Sequence, residues 1–179
     1  FDEFDDDIVL LGGWCKKYAE DIEQILSIKS IIGYHWDDRS KLFEDYNNII
    51  ELYEKLLPEY SESLNKLHNV DYSVSFWKII IGPWLLYFIA VLFDRWHTIM
   101  HAAKDCKFDY VALSEVKHDL IVPNDMSDFY ELCVGDGWNN YIFGEIVKHW
   151  TLLDYKEFQL VASNISDTLP SFKFRIKKI

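Results

Sequence analysis

Cysteine is scarce in this chain. The three residues, Cys15, Cys106 and Cys133, are odd in number and widely spaced, with no CxxC pair. That pattern argues against a disulfide framework or a zinc ribbon and fits a reducing cytoplasm. Positive charge is scarce too: 18 Lys and Arg face 30 Asp and Glu, for a formal charge of −12. Duplex DNA held by phosphate neutralisation needs a basic surface, so no nucleic-acid partner is expected. Electrostatic attachment to an anionic membrane is disfavoured for the same reason. Long apolar runs are missing. Ile79 to Phe93 carries no charge but spans 15 residues and is interrupted by Gly82-Pro83, whereas a spanning helix needs about 20. The run reads as an apolar turn followed by a fully buried core helix from about Trp84. The start, Phe1 to Asp7, is acidic and lacks the basic-then-apolar pattern of a leader. The chain begins without Met, as a processed or excised piece would.

What is present is apolar and aromatic surface: 50% of the 179 residues are hydrophobic and 17% aromatic. A chain of this length and composition buries a core of its own. Asp7 to Leu11 meets Gly12-Gly13 directly, as a buried strand ending in a tight turn does. A strand without alternation suggests a parallel sheet covered on both faces. Lys16 to Ser30 reads as a short helix. From Arg39 to Leu67, apolar residues recur in steps of three and four, from Leu42 to Leu64 and Leu67, the stripe of a long amphipathic helix. Asp37 or Asp38 would cap it, and Pro58 would kink or end it. Ser73 or Ser75 caps the next turn. Asp109 to Ser114 is a second strand, Val122 to Asp125 a turn, and Ser127 begins a helix that Gly135-Asp136-Gly137 breaks. Trp138 to Trp150 is the last helix, and Thr151 to Ile179 has a mixed pattern with a basic end. The order predicts a helix-rich, Rossmann-like α/β lobe with a short, mostly parallel sheet. Residues 1–150 form the lobe, and 151–179 an extension or a link to a second lobe.

Several groups could carry chemistry. Gly12, Gly13 and Trp14 lie where open α/β sheets bind ligands, and glycine amides there can receive an anion; the alternative is a turn that needs two small residues. In Tyr34-His35-Trp36-Asp37-Asp38-Arg39, an imidazole and two carboxylates offer proton transfer, and Arg39 can clamp an anionic group. The alternative there is a capped helix entrance with an Asp–Arg pair. Asp94, His97 and His101 share a helical face, a spacing that also arises freely without a metal; no metal is expected. Trp84 and the other tryptophans can stack on sugars but fill cores more often. Cys15 follows a turn where a thiol can be activated, without a nameable partner.

Leu10-Leu11-Gly12-Gly13-Trp14-Cys15, Tyr34-His35-Trp36-Asp37-Asp38-Arg39 running into Tyr46 to Leu57, Trp77 to Tyr87 with its Gly-Pro-Trp-Leu-Leu-Tyr core, Asp94-Arg95 and Trp138-Asn139 together resemble a family of transferases from surface-carbohydrate (O-antigen type) gene clusters. The likeness covers roughly residues 8 to 150. In that family an acidic residue usually stands where this chain has Gly13. The resemblance implies the N-terminal half of a two-lobed, GT-B-like glycosyltransferase, with a second lobe outside this chain carrying most of the donor site. It implies a nucleotide-sugar donor as substrate, a carbohydrate or glycolipid acceptor, and no cofactor. His35, Asp37 and Asp38 are then the catalytic candidates. Gly12, Gly13, Trp14, Trp36, Arg39 and Trp84 are the binding candidates. The diglycine bend and the histidine-bearing stretch are expected to serve one site at the rim of the sheet. A cytoplasmic location at the inner face of a membrane follows, with a second lobe or another copy as partner. Two other readings compete. One is a non-catalytic module that binds carbohydrate, nucleotide or a partner chain. The other is a membrane-proximal protein anchored by Phe76 to Phe93.

Overall fold

The computed structural model describes residues 8–16, 28–105, 109–114, 121–158 and 174–175. The expected helix between Lys16 and Ser30 lies mostly outside them. The described chain divides into two compact units, one built from residues 1–34 and 95–179, the other from 35–94.

In the first unit, β1 (Ile8–Leu10) pairs in parallel with β2 (Ile28–Ile31), and Ile32 N donates to Leu10 O at 2.9 Å just beyond the strand. The last part of the expected helix is therefore a strand. Ile28–Ile31 has a polar centre, Lys29-Ser30, and is an outer strand of its sheet among the described residues. The opposite edge of β1 is covered by β5 (Phe174–Arg175), antiparallel. A second sheet pairs β3 (Val111–Ser114) in parallel with β4 (Tyr155–Phe158). Strands from beyond Trp150 thus complete both sheets. The apolar run of β1 is buried through Val9, Leu10 and Leu11, as a strand covered on both faces must be. These side chains share one core with Ile99, Val111, Leu113, Phe143 and Val147.

The second unit is helical. α1 (Arg39–His68) is 30 residues long, about 45 Å at the usual rise. Asp38 caps it: its carboxylate accepts from the amides of Ser40 at 2.9 Å and Lys41 at 3.3 Å. At the other end Asn69 takes the left-handed conformation of a C-cap. Pro58 neither ends the helix nor sits at its start, and α1 continues through it to His68. Ile49, Tyr53 and Leu57, one turn apart, pack against Leu85 and Ile89. The latter two belong to α3 (Gly82–Asp105), whose residues up to Asp94 fall in this unit. Between α1 and α3 lies α2 (Val74–Ile80), capped by Ser73.

Two expectations change here. The apolar turn before Gly82 is the helix α2, and its Ile79 and Ile80 are exposed. The helix that follows is not fully buried either: Leu85 and Ile89 are, while Trp84, Leu86, Tyr87 and Phe88 are half-buried. Gly82 has a packing reason. A Cβ there would meet the Tyr53 hydroxyl at 2.7 Å, closer than real Cβ contacts come.

The first unit closes with α4 (Met126–Val134), capped by Asp125, and α5 (Asp136–Trp150). The break between them falls at Gly135. The fold is helix-rich α/β with short, mostly parallel sheets.

Candidate functional site

The histidine-bearing stretch forms a short 3-10 turn, His35–Asp37, directly before the Asp38 cap of α1. The turn points His35 inward and leaves Asp37, Asp38 and Arg39 exposed. His35 Nε2 lies 3.5 Å from Asp94 Oδ1, and the two side chains are 3% and 8% exposed. At that separation the two atoms are in ion-pair range but not hydrogen-bonded to each other.

A second buried carboxylate holds the same turn. Asp45, one of the most buried polar residues, accepts from Trp36 Nε1 at 3.0 Å. Lys41 Nζ reaches both carboxylate oxygens, at 2.9 Å from Oδ2, which also accepts from Trp36, and at 3.2 Å from Oδ1. The indole of Trp36 also leans on the imidazole, with ring centroids 5.0 Å apart. His35, Trp36, Asp45 and Asp94 therefore form one polar cluster inside the helical unit. The imidazole can take a proton, and the carboxylate beside it can orient the ring and stabilise the imidazolium that results.

Of the sequence candidates, the structure brings together His35 and Trp36. It places Asp37 and Arg39 exposed on the same turn and at the first helical position. Asp38 is occupied by the helix amides. Trp84 is half-buried in the same unit and stacks on Phe88 one turn later, at 5.0 Å and 15°. Gly12 and Gly13 belong to the other unit. There Gly12 O accepts from Cys15 N at 3.2 Å, and the 3-10 turn Gly13–Lys16 follows. Neither glycine has a positive φ, and a Cβ on Gly13 would meet nothing within 4 Å. Gly13 is thus not required by the turn, whereas an exposed glycine leaves its backbone open to approach. Trp14 lies in that turn.

The sequence alone places Asp94 on a histidine-bearing helix face and does not pair it with His35. One signal could have found it: it is the first charge after the uncharged run from Ile79, and a carboxylate there needs a partner. Among the described residues no group of three His, Cys, Asp or Glu is placed to hold a metal. Asp45 gave no sequence signal beyond its place in an amphipathic helix. In the first unit, Arg95 Nε donates to Asn139 Oδ1 at 2.8 Å and Arg95 Nη2 to Cys133 O at 3.3 Å. Asn139 Nδ2 in turn donates to Cys133 O and Gly135 O, closing the junction of α4 and α5. The tryptophans divide as packing demands: Trp77 and Trp138 are buried, and Trp150 is exposed.

A helix-rich α/β chain with a histidine–aspartate pair at a helix entrance is compatible with group transfer. The model of a transferase family matches residues 1–179, and the chain belongs to that family, the LIC12162 family of transferases. No curated protein and no solved structure matches it.

Proposed function

We propose that this chain is the acceptor-side lobe of a two-lobed, GT-B-like glycosyltransferase. It serves transfer of a sugar from a nucleotide-activated donor to a surface polysaccharide or a glycolipid precursor, at the inner face of the membrane. His35 accepts the proton of the acceptor hydroxyl. The oxygen then attacks the anomeric carbon, and the bond to the nucleoside diphosphate breaks with its electron pair leaving on the diphosphate. Asp94 orients the ring and stabilises its protonated form. His35 is buried, so the acceptor reaches it through a bridging water or after its cover shifts. Asp37 and Arg39, exposed beside it, and Trp84 meet the substrate first. Arg39 holds an anionic group. In the other unit Gly13 is exposed, and its backbone amide is open to an anionic group.

The observation that supports this most is the buried His35–Asp94 contact within a chain of a transferase family. The test is release of nucleoside diphosphate from a panel of nucleotide sugars, with wild type and His35→Gln compared. Turnover in the wild type that the variant loses is the expected result. Equal turnover in both removes His35 from the reaction.

A second reading, a non-catalytic interaction module, is favoured by one observation. Phe43 and Tyr46, one turn apart on α1, are exposed at 69% and 57%. Ligand or partner binding without turnover of any donor would select it.

A further inference from the structure

We infer that α2 and the corner joining it to α1 form a shallow docking surface for a phospholipid bilayer. Leu67, Tyr72, Val74, Phe76, Ile79 and Ile80 are all exposed there, Ile79 and Leu67 by 78% and 76%. Four of them lie on the seven-residue α2, Leu67 on the last turn of α1 and Tyr72 in the loop between, and such clustering of exposed apolar side chains marks an interaction surface. The corner is also rigidly built. Asn65 Oδ1 accepts from Trp77 Nε1 at 2.8 Å and from Tyr72 N at 3.1 Å, and Asn65 Nδ2 donates to Tyr72 O at 2.8 Å. Tyr72 and Phe76 pack ring on ring at 4.2 Å, and His68 stacks on Trp77. The apolar side chains are thus displayed from a fixed scaffold.

Two observations select lipid as the occupant. The first is charge. Residues 64–93 carry one acidic side chain, Asp71, against Lys66 and Lys78, in a chain with 30 acids. Lys66 is paired with Glu62 at 2.6 Å and Lys78 with Glu54 at 3.0 Å. With those partners counted, Glu54, Glu62 and Asp71 face two lysines, a net charge of −1 on this surface in a chain of −12. The second is hydropathy. Among the described residues no single helix is long and apolar enough to cross a membrane. α2 and α3 together are, but they are bent by 69° at Ile81. An exposed apolar arm at that bend suits lying in the interface, with Tyr72 and Phe76 at headgroup depth and the Lys78 stem snorkelling.

The test is flotation of the 179-residue chain with phosphatidylcholine vesicles. The wild type is expected to float, with little dependence on salt. Ile79→Asp/Ile80→Asp, and separately Leu67→Asp, should lower the bound fraction by more than about tenfold while keeping the circular-dichroism spectrum and melting point. These positions are exposed, so the substitutions leave the core alone. A wild type that stays with the unbound fraction overturns the inference, as do variants that float equally well. A wild type that ignores vesicles but sediments as a dimer, which the same substitutions dissociate, assigns the surface to a second copy and also overturns it.

Discussion

Asp94 Oδ1 sits 3.5 Å from His35 Nε2, and neither side chain reaches solvent appreciably. The two groups form a buried ion-pair contact in the helical unit. Removing one takes a buried ion-pair contact from the other, and such losses run to about 3 kcal/mol. Asp94→Ala should therefore lower the unfolding free energy by about that amount. Replacing both partners with apolar residues, His35→Leu with Asp94→Leu, should recover most of it. Denaturant titration of the two singles and the double measures the coupling directly.

Gly82 and Tyr53 make a second testable pair. A methyl group at position 82 would sit 2.7 Å from the tyrosine hydroxyl. Gly82→Ala should cost about 1–3 kcal/mol by overpacking. Tyr53→Phe removes the obstructing oxygen, so the double variant should be closer to wild type than Gly82→Ala alone. Gly13 is the contrast. Its Cβ would meet open space and its φ is not positive, so Gly13→Asp should change stability by no more than about 0.5 kcal/mol. A large loss of stability there would restore the tight-turn explanation of the diglycine.

The first turn of α4 sets a pH dependence. Asp128 accepts from the backbone amide of Asn124 at 2.9 Å and from its side-chain amide at 2.8 Å. These two bonds hold its carboxyl below the usual carboxylate range. A lowered folded-state value means that the stabilisation is present above the unfolded value and lost as pH falls through the folded one. Melting temperatures of wild type and Asp128→Asn should therefore differ at neutral pH and converge as pH falls below about 4. A difference that persists in acid contradicts this.

Much of the helical unit was legible in the sequence because its signals are local. The three-and-four spacing of α1, the Asp38 and Ser73 caps and the Gly82-Pro83 break each depend on residues within a turn or two. The strands were legible where the run is apolar, as in β1 and β3. β2 and β4 were not, because Ile28–Ile31 and Tyr155–Phe158 mix polar and apolar residues and owe their pairing to β1 and β3, distant in sequence. The site divides in the same way. A histidine–aspartate–arginine cluster before a helix was visible as a motif. That the histidine turns inward to Asp94, while Asp38 serves the helix amides, is decided by tertiary packing.

Asp45 offers a further check on that packing. Its carboxylate fixes Trp36, and Trp36 leans on His35. Asp45→Ala leaves the indole N–H without this acceptor and should cost about 1–3 kcal/mol. If Asp45 also positions His35, the imidazole resonances of that residue should shift in the NMR spectrum of the variant, while Trp36→Phe shifts them without unfolding the chain.

If His35 works as a base held by Asp94, the turnover number of Asp94→Asn is the most direct measure of it. With a nucleotide sugar that the wild type consumes, kcat should fall by about 10²-fold or more while KM stays within a few-fold, because the amide keeps the shape but no longer stabilises the imidazolium. A folded Asp94→Asn protein with wild-type kcat would contradict the account.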